Sequence, residues 1–504
     1  MLIAVCAAFA NCWILLRNPL NNDVAWYLYL GRELLAGKHL YIDFVETNPP
    51  LICFLTAIPV WMGQVLHVES RVVWTVLVTC ICVGSAAAAA RFWGMARGAQ
   101  RGAETALFLF LLVITLAFFF AYDFGQRDHL GFVASLPLCG LIGARMSGAK
   151  VGAAVPVVTA IIGGLLLALK PFFFIPWLLC VAWALAVCGW RRAARWPETY
   201  IVPAMSLAQP ALILFVTPAY IGVARLVASL YSAYNSETWG RLLTERFLAV
   251  TLVGGLLTLL YRASTEGRTA VRLASLFTMG WYLSGLLQRK GWHYHDLPGV
   301  AALSFAAWMI VIDLAGRRTE RVLRWQTALR AATVLFLLMA GIRTIRLHWG
   351  YPGGNGNIVP IVEREARGKS IIALATGMSA FPLVNDSGTR LAVRYNSLWP
   401  IPGLYARQVQ AGTPDGKWHY RRPDQMGAVE KQMFTDVASD LATEPPLLIF
   451  WSRDQQGMGS LKVDLMGYFA QDDRVRTAFQ HYDRVPLKSD YMVFRHITEK
   501  AASR

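Results

Sequence analysis

The sequence predicts a mainly α, polytopic membrane fold followed by a small α/β domain. Three observations predict it. Hydrophobic residues make up 56% of the 504 positions and charged residues only 16%, too apolar a balance for a soluble chain of this length. Apolar runs of about 17 to 25 residues, the length that crosses a bilayer as a helix, recur through the first two thirds. Near residue 345 the composition turns polar and mixed, and helix-like and strand-like patterns alternate.

The elements follow in order. Residues 1–16 form a first apolar segment, read as a span rather than a leader because it lacks a basic start and a small-residue cleavage site. The polar insert Arg17 to Pro50 concentrates Asp23, Glu33, Asp43 and Glu46 with aromatic residues and the pair Pro49-Pro50. Within it Ala25, Trp26, Tyr29, Leu30 and Leu34 recur at helical spacing, predicting an amphipathic helix over 23–38 on the membrane surface. Asn22 or Asp23 is the expected N-cap and Gly37 the expected stop. Residues 51–66 are apolar, short and interrupted by Pro59, so a crossing and an interfacial or re-entrant helix compete.

Charge decides between them. With 51–66 not crossing, further spans at about 72–90, 104–121, 129–146, 151–169, 171–189, 200–217, 246–262, 271–287, 297–315 and 326–344 bring the count to about eleven. The clusters around Arg91/Arg97/Arg101, Arg145/Lys150, Arg191/Arg192/Arg195, Arg262/Arg268/Arg272 and Arg317/Arg318/Arg321/Arg324 then all face the cytoplasm. The net charge of +17 is thereby read as a positive-inside signature, and no nucleic-acid partner is called for. The eight cysteines lie in apolar segments at irregular spacing, which implies neither a disulfide framework nor a zinc site.

The same topology gathers the polar insert, Tyr122 to His129 (YDFGQRDH), the Lys170-Pro171 turn, the Tyr220 to Arg246 connection and Gln288 to Pro298 (QRKGWHYHDLP) on the outer face. Ionisable groups at such depth are costly and therefore point to function. The tail from 345 to 504 lies on that face too. It opens with the linker GYPGGNGN, continues as a helix near 359–367, a strand at 370–375, a helix at 427–442 and strands at 447–451 and 491–494, and predicts a periplasmic α/β domain behind a membrane domain over 1–344. Neither a solenoid repeat nor a nucleotide-binding loop is present in the sequence.

An early Asp in the first outer loop, a helix after it, a terminal Pro-Pro-Leu and a second outer loop carrying Arg-Asp resemble the GT-C glycosyltransferase superfamily. The pattern is most similar to the protein O-mannosyltransferases and the lipid A aminoarabinose transferases. Asp23, Pro49-Pro50 and Asp128 match in order; Lys170-Pro171 is similar to a Lys-Gly-Pro, and Lys290 to Pro298 to a late Lys-rich loop ending in Leu-Pro. Val24 and the run Glu46-Thr47-Asn48 depart from it, where acidic or Glu-Lys pairs are common. The resemblance implies an inverting transferase in a bacterial inner membrane that moves a sugar from a polyprenyl-phosphate donor to an envelope glycan, lipid or protein acceptor on the outer side.

That chemistry needs a base for the acceptor hydroxyl and cations for the departing phosphate. Asp23 is the candidate base, against a plain helix-capping role. Asp128 is the second catalytic candidate, orienting acceptor or sugar, and Asp123 a weaker one. Lys290, Arg289, Lys170 and Arg127 are the candidate phosphate ligands, against snorkelling at span ends. Glu46, His293, His295, Tyr294, Trp292 and Tyr27 are candidate substrate contacts, with interfacial enrichment explaining the aromatic residues equally well. No nucleotide cofactor is expected; Glu46 and the His293/His295 pair leave a divalent cation open, without a third ligand at supporting spacing. A transporter or flippase of lipid-linked sugars is the alternative; it should show paired repeats and midplane charges, whereas the polar residues here gather at one face.

Overall fold

The computed structural model describes residues 2–96, 119–234, 237–265, 267–316, 358–377, 380–452, 457–487 and 491–497, with positions 109, 112–113, 115–117 and 455 between them. The chain divides into two compact units. One comprises residues 1–19, 54–214 and 237–351; the other comprises 20–53, 215–236 and 352–504. The polar insert and the 215–236 segment therefore fold with the C-terminal region rather than with the apolar helices that flank them in sequence.

The first unit is helical. Among the described residues, six helices are long and apolar enough to cross a membrane: Ser70–Ala96, Arg127–Met146, Pro171–Cys188, Glu198–Val216, Arg268–Gln288 and His293–Asp313. They make this a multi-pass membrane protein. The apolar runs at Val5–Leu16, Leu51–Leu66, Ala154–Leu167 and Phe247–Leu260 form shorter helices. Of the expected spans, 326–344 lies outside the described residues and 104–121 does so for half of its length.

The 127–146 helix is the core of this unit, with Arg127 through Ala144 all buried. Glycines on it let neighbours approach closely. A Cβ on Gly131 would lie 2.5 Å from the Phe173 ring, and one on Gly140 would lie 2.7 Å from the Trp93 ring. Pro137 interrupts the helix, and because proline has no N–H the carbonyl of Val133 loses its helical partner. The hydroxyl of Ser85, from the 70–96 helix, donates to that carbonyl, so the break is satisfied between helices.

The second unit holds a five-stranded sheet in the order β2-β1-β3-β5-β4. The strands are β1 (Ser370–Leu374), β2 (Arg390–Leu391), β3 (Leu448–Ser452), β4 (Tyr482–Val485) and β5 (Tyr491–His496). β1 runs parallel to β2 and β3, while β5 is antiparallel to β3 and β4. The helix Ala428–Thr443 buries Met433, Phe434, Val437, Ala438 and Leu441, one stripe at helical spacing, in the apolar core shared with β1 and β3.

The helix of the polar insert, Asn22–Leu35, differs from its expected role as a one-sided surface helix. Val24 through Gly31 are buried without a gap, so all its faces are covered. Trp26 and Tyr29 stack 5.6 Å apart, and Phe381 meets them edge-on at 5.1 and 5.5 Å. Asn385 Nδ2 donates to the Ala25 carbonyl at 2.9 Å, and the Leu391 N–H to Tyr29 Oη at 3.1 Å. The aromatic residues that suggested a membrane face pack instead against the α/β chain. Asn21, not Asn22 or Asp23, caps the helix, its side chain accepting from the Asp23 N–H at 2.9 Å. Gly37, at φ +87°, ends it as expected.

Candidate functional site

In the membrane unit, four chain segments end at one point. The 127–146 helix begins there, and Asp128 lies in its first turn. Lys170 follows the Ala154–Leu167 helix in extended backbone at φ −148°, ψ 137°, the conformation that a residue before proline favours. Gln288 closes the 268–288 helix, and Arg289 (φ +51°) and Gly291 (φ +63°) turn the chain into the His293–Gly316 helix. Positive φ at Gly291 needs glycine, and a Cβ there would also stand 3.0 Å from Glu237 Cγ.

The side chains meet as one cluster. Lys170 Nζ donates to Asp128 Oδ2 at 2.7 Å and to Gln288 Oε1 at 3.0 Å. His295 Nδ1 lies 3.0 Å from Asp128 Oδ1 and 3.3 Å from Lys170 Nζ. Asp128 is 1% exposed and His295 4%. Two adjacent rings fix the imidazole: Trp292 stacks on it at 5.6 Å, and Tyr294 lies at 4.2 Å. The exposed His293 pairs through Nε2 with Asp123 Oδ2 at 3.0 Å.

The other candidate cations differ in setting. Lys290 is half-buried beside Trp292, whose ring centroid is 5.9 Å from Nζ. Burial, and then the nearby Lys170 ammonium, push its pKa down to about 8. Arg289 donates to the Glu237 carbonyl at 3.1 Å and covers the Trp239 ring at 4.8 Å, holding the 237–245 segment to the loop. Arg127 is 9% exposed, at the start of its helix. His129 is a strut: its Nδ1 accepts from the Gly125 N–H at 2.9 Å, so Nε2 carries the proton and donates to the Leu116 carbonyl at 2.6 Å.

The remaining candidates belong to the second unit. Glu46 is 1% exposed, and its Oε1 accepts from both the N–H and the Nδ2 of Asn48 at 2.6 Å. Its Oε2 accepts from Trp26 Nε1. Asn48 Nδ2 also donates to Tyr27 Oη at 3.0 Å, and Tyr41 Oη donates to the Asn48 carbonyl at 2.6 Å. These bonds hold the loop before Pro49-Pro50 in one conformation. Asp23 is half-buried in the first helical turn. Gln288 and Asn48 are the participants that sequence reasoning missed; each sat inside a segment already singled out, and only its hydrogen bonds distinguish it. Among the described residues, no group of three His, Cys, Asp or Glu side chains is placed to hold a metal ion.

No family model matches the chain, and no curated protein matches it in sequence. Solved structures do. The crystal structure of ArnT from Cupriavidus metallidurans in the apo state superposes at a TM-score of 0.53 and 13% identity, over 98% of this chain and 97% of that one. The cryo-EM structure of arabinofuranosyltransferase AftD from Mycobacteria aligns at a TM-score of 0.42 and 14% identity, over 98% of this chain but 40% of AftD, too weak a superposition to argue from. At such identities it is the fold that is shared: along nearly its whole length, this chain has the fold of ArnT.

Proposed function

We propose that the protein is an integral-membrane glycosyltransferase of the GT-C type. It transfers a sugar from a polyprenyl-phosphate donor to an envelope glycan, lipid or protein on the outer side of a bacterial inner membrane. The observation that carries the proposal is the buried Asp128–Lys170–His295 cluster at the ends of membrane-length helices, with Lys290 close enough to feel the Lys170 charge. Ionisable side chains so placed are expensive and are kept for chemistry. The shared fold with ArnT, whose kind the outer-loop motifs already resembled, supports the same reading.

In the reaction, the acceptor oxygen attacks the anomeric carbon from the face opposite the phosphate. The bond from that carbon to the phosphate oxygen breaks, its electron pair leaves with the polyprenyl phosphate, and the configuration inverts. The acceptor proton passes to a carboxylate or a base it supports, for which Asp23 and Asp128 are the two assigned residues. Lys290 takes the lead among the phosphate ligands, because Lys170 is already committed to Asp128 and Gln288. Phosphate between them would offset both the burial and the Lys170 repulsion that lower Lys290. Arg127 and Arg289 complete the cationic side, and Trp292, His293 and Tyr294 are the assigned sugar or acceptor contacts.

The test is transfer of labelled sugar from a panel of polyprenyl-phosphate-linked pentoses and hexoses by the purified, reconstituted chain. Lys290→Gln should raise the donor KM about 10-fold or more with a smaller change in kcat. A folded wild-type protein that consumes none of these donors refutes the proposal.

A further inference from the structure

Asp128 cannot itself take a proton from a substrate. It is 1% exposed, its Oδ2 is occupied by Lys170 and its Oδ1 by His295. Whatever it contributes to proton transfer must leave the cluster through a neighbour. Lys170 offers only donors. The remaining route is the imidazole.

The hydrogen bonds settle which nitrogen of His295 carries the proton. Nδ1 faces a carboxylate oxygen at 3.0 Å, which demands an N–H there; a lone pair at Nδ1 would face Asp128 with like charge. The 3.3 Å approach of Lys170 to the same nitrogen is then a charge contact, not a bond the ring can accept. With its proton on Nδ1, the ring presents the lone pair of Nε2. No described group bonds to Nε2, and it is not among the buried unbonded atoms. His129 shows the contrast, with both ring nitrogens tied to backbone. The charged groups facing His295 are Asp128 and Arg127 from the 127–146 helix and Lys170 from the turn before Pro171.

We infer that His295 is the general base of this site: its Nε2 takes the acceptor hydroxyl proton while Asp128 orients the ring and stabilises the imidazolium. The inference rests on the glycosyltransferase reading and refines it. As the acceptor oxygen bonds to the anomeric carbon, its O–H electron pair stays on oxygen and the proton moves to Nε2; the leaving phosphate departs with the pair from the broken carbon–oxygen bond. Asp128 stays ionised throughout, as the carboxylate of an Asp–His pair does. Lys170 is a positioning residue that keeps the carboxylate in place. A phosphate oxygen, which has no proton to give, would meet the Nε2 lone pair unfavourably, so this face of the ring belongs to a hydroxyl.

The experiment compares wild type, His295→Gln and His295→Gly in the reconstituted full chain, using the donor and acceptor pair on which wild type turns over. His295→Gln keeps a hydrogen-bonding group without a basic nitrogen, and should lower kcat about 100-fold or more with donor KM within about threefold. Added imidazole should restore part of the activity of His295→Gly. In wild type, the acid limb of kcat/KM should move with temperature, as imidazole ionisation does and carboxylate ionisation scarcely does; this measurement needs no variant to fold. A His295→Gln enzyme within threefold of wild-type kcat overturns the inference. So does a temperature-independent acid limb, or loss of the chemical step in Asp23→Asn while His295→Gln retains it. A wild-type protein inert toward every lipid-phosphate sugar refutes the transferase reading instead, and this assignment falls with it.

Discussion

Replacing Lys170 by alanine tests the cluster most directly, because the pair it forms with Asp128 is nearly closed to water. The two side chains are 11% and 2% exposed and their charges approach to 2.7 Å. At an effective dielectric of about 20, a pair at that distance is attracted by about 6 kcal/mol before desolvation is counted. Removing one partner of a buried pair leaves the other charge uncompensated, at a net cost of about 3–5 kcal/mol. His295 Nδ1 still donates to Asp128, which puts the expected loss toward the lower end. For a chain of this length, unfolding entropy of about 1 kcal/mol per degree turns that loss into a midpoint lower by about 3 °C. With Cys6, Cys80 and Cys188 blocked beforehand, the chain supplies its own reporter: Cys12, Cys53, Cys82, Cys139 and Cys180 are buried thiols that react with a fluorogenic maleimide only as the helices open. Adding Asp128→Asn to Lys170→Ala should recover at least half of the loss, since the stranded charge goes with it. A Lys170→Ala protein that melts with wild type, or a double variant that loses the sum of both single changes, would refute this account of the pair.

Three other outcomes are expected. Because burial and the Lys170 charge push Lys290 down to about 8, and it must be protonated to attract phosphate, donor kcat/KM should fall as pH rises through about 8; in Lys290→Arg that limb should move well above the assay range, as a pH profile of the two enzymes will show. Glu46→Gln turns an N–H₂ toward donors that now point at Oε1 or Oε2, and should cost about 1–3 kcal/mol, read as a lower melting midpoint and faster protease cleavage within residues 37–50. Gly280→Ala would put a Cβ 2.4 Å from the Pro176 Cα. The clash should outweigh the roughly 1 kcal/mol that alanine gains in helix propensity, so the thiol-reactive melt should fall rather than rise.

Much of the fold was legible because its signals are local. The strand expected at 447–451 is β3 at Leu448–Ser452, and the one expected at 370–375 is β1 at Ser370–Leu374; both are short apolar runs between polar turns. β4, with the sequence Tyr-Asp-Arg-Val, went unseen because it is an edge strand whose central residues are exposed, so no apolar alternation marks it. The polar insert was misjudged for the opposite reason. A helical stripe of aromatic residues reads alike whether it meets lipid or protein, and the partners Phe381, Asn385 and Leu391 come from more than 350 residues away. Site residues were found one at a time, from residue type and from position at the end of an apolar run. Their pairing was not in the sequence: Lys170 reaches Asp128 across 42 positions and His295 across 125.

The two buried carboxylates, Glu46 and Asp128, separate structural from chemical use of the same group. Glu46 accepts from the Asn48 backbone N–H as well as from side chains, and so satisfies a donor that would otherwise be stranded in a tight loop. Its burial is explained by the chain it holds. Asp128 sits in a helical first turn, yet the partners it has among the described residues are Lys170 and His295, titratable side chains drawn from separate segments. Well-packed apolar residues in place of such an ion pair are often neutral or stabilising, so stability alone does not account for it. The cluster instead delivers an imidazole of fixed tautomer, clamped by Trp292 and Tyr294. An arrangement that yields one oriented lone pair is what proton transfer at this site requires, which is why the proposed chemistry is built on Asp128 and His295 and the loop geometry on Glu46.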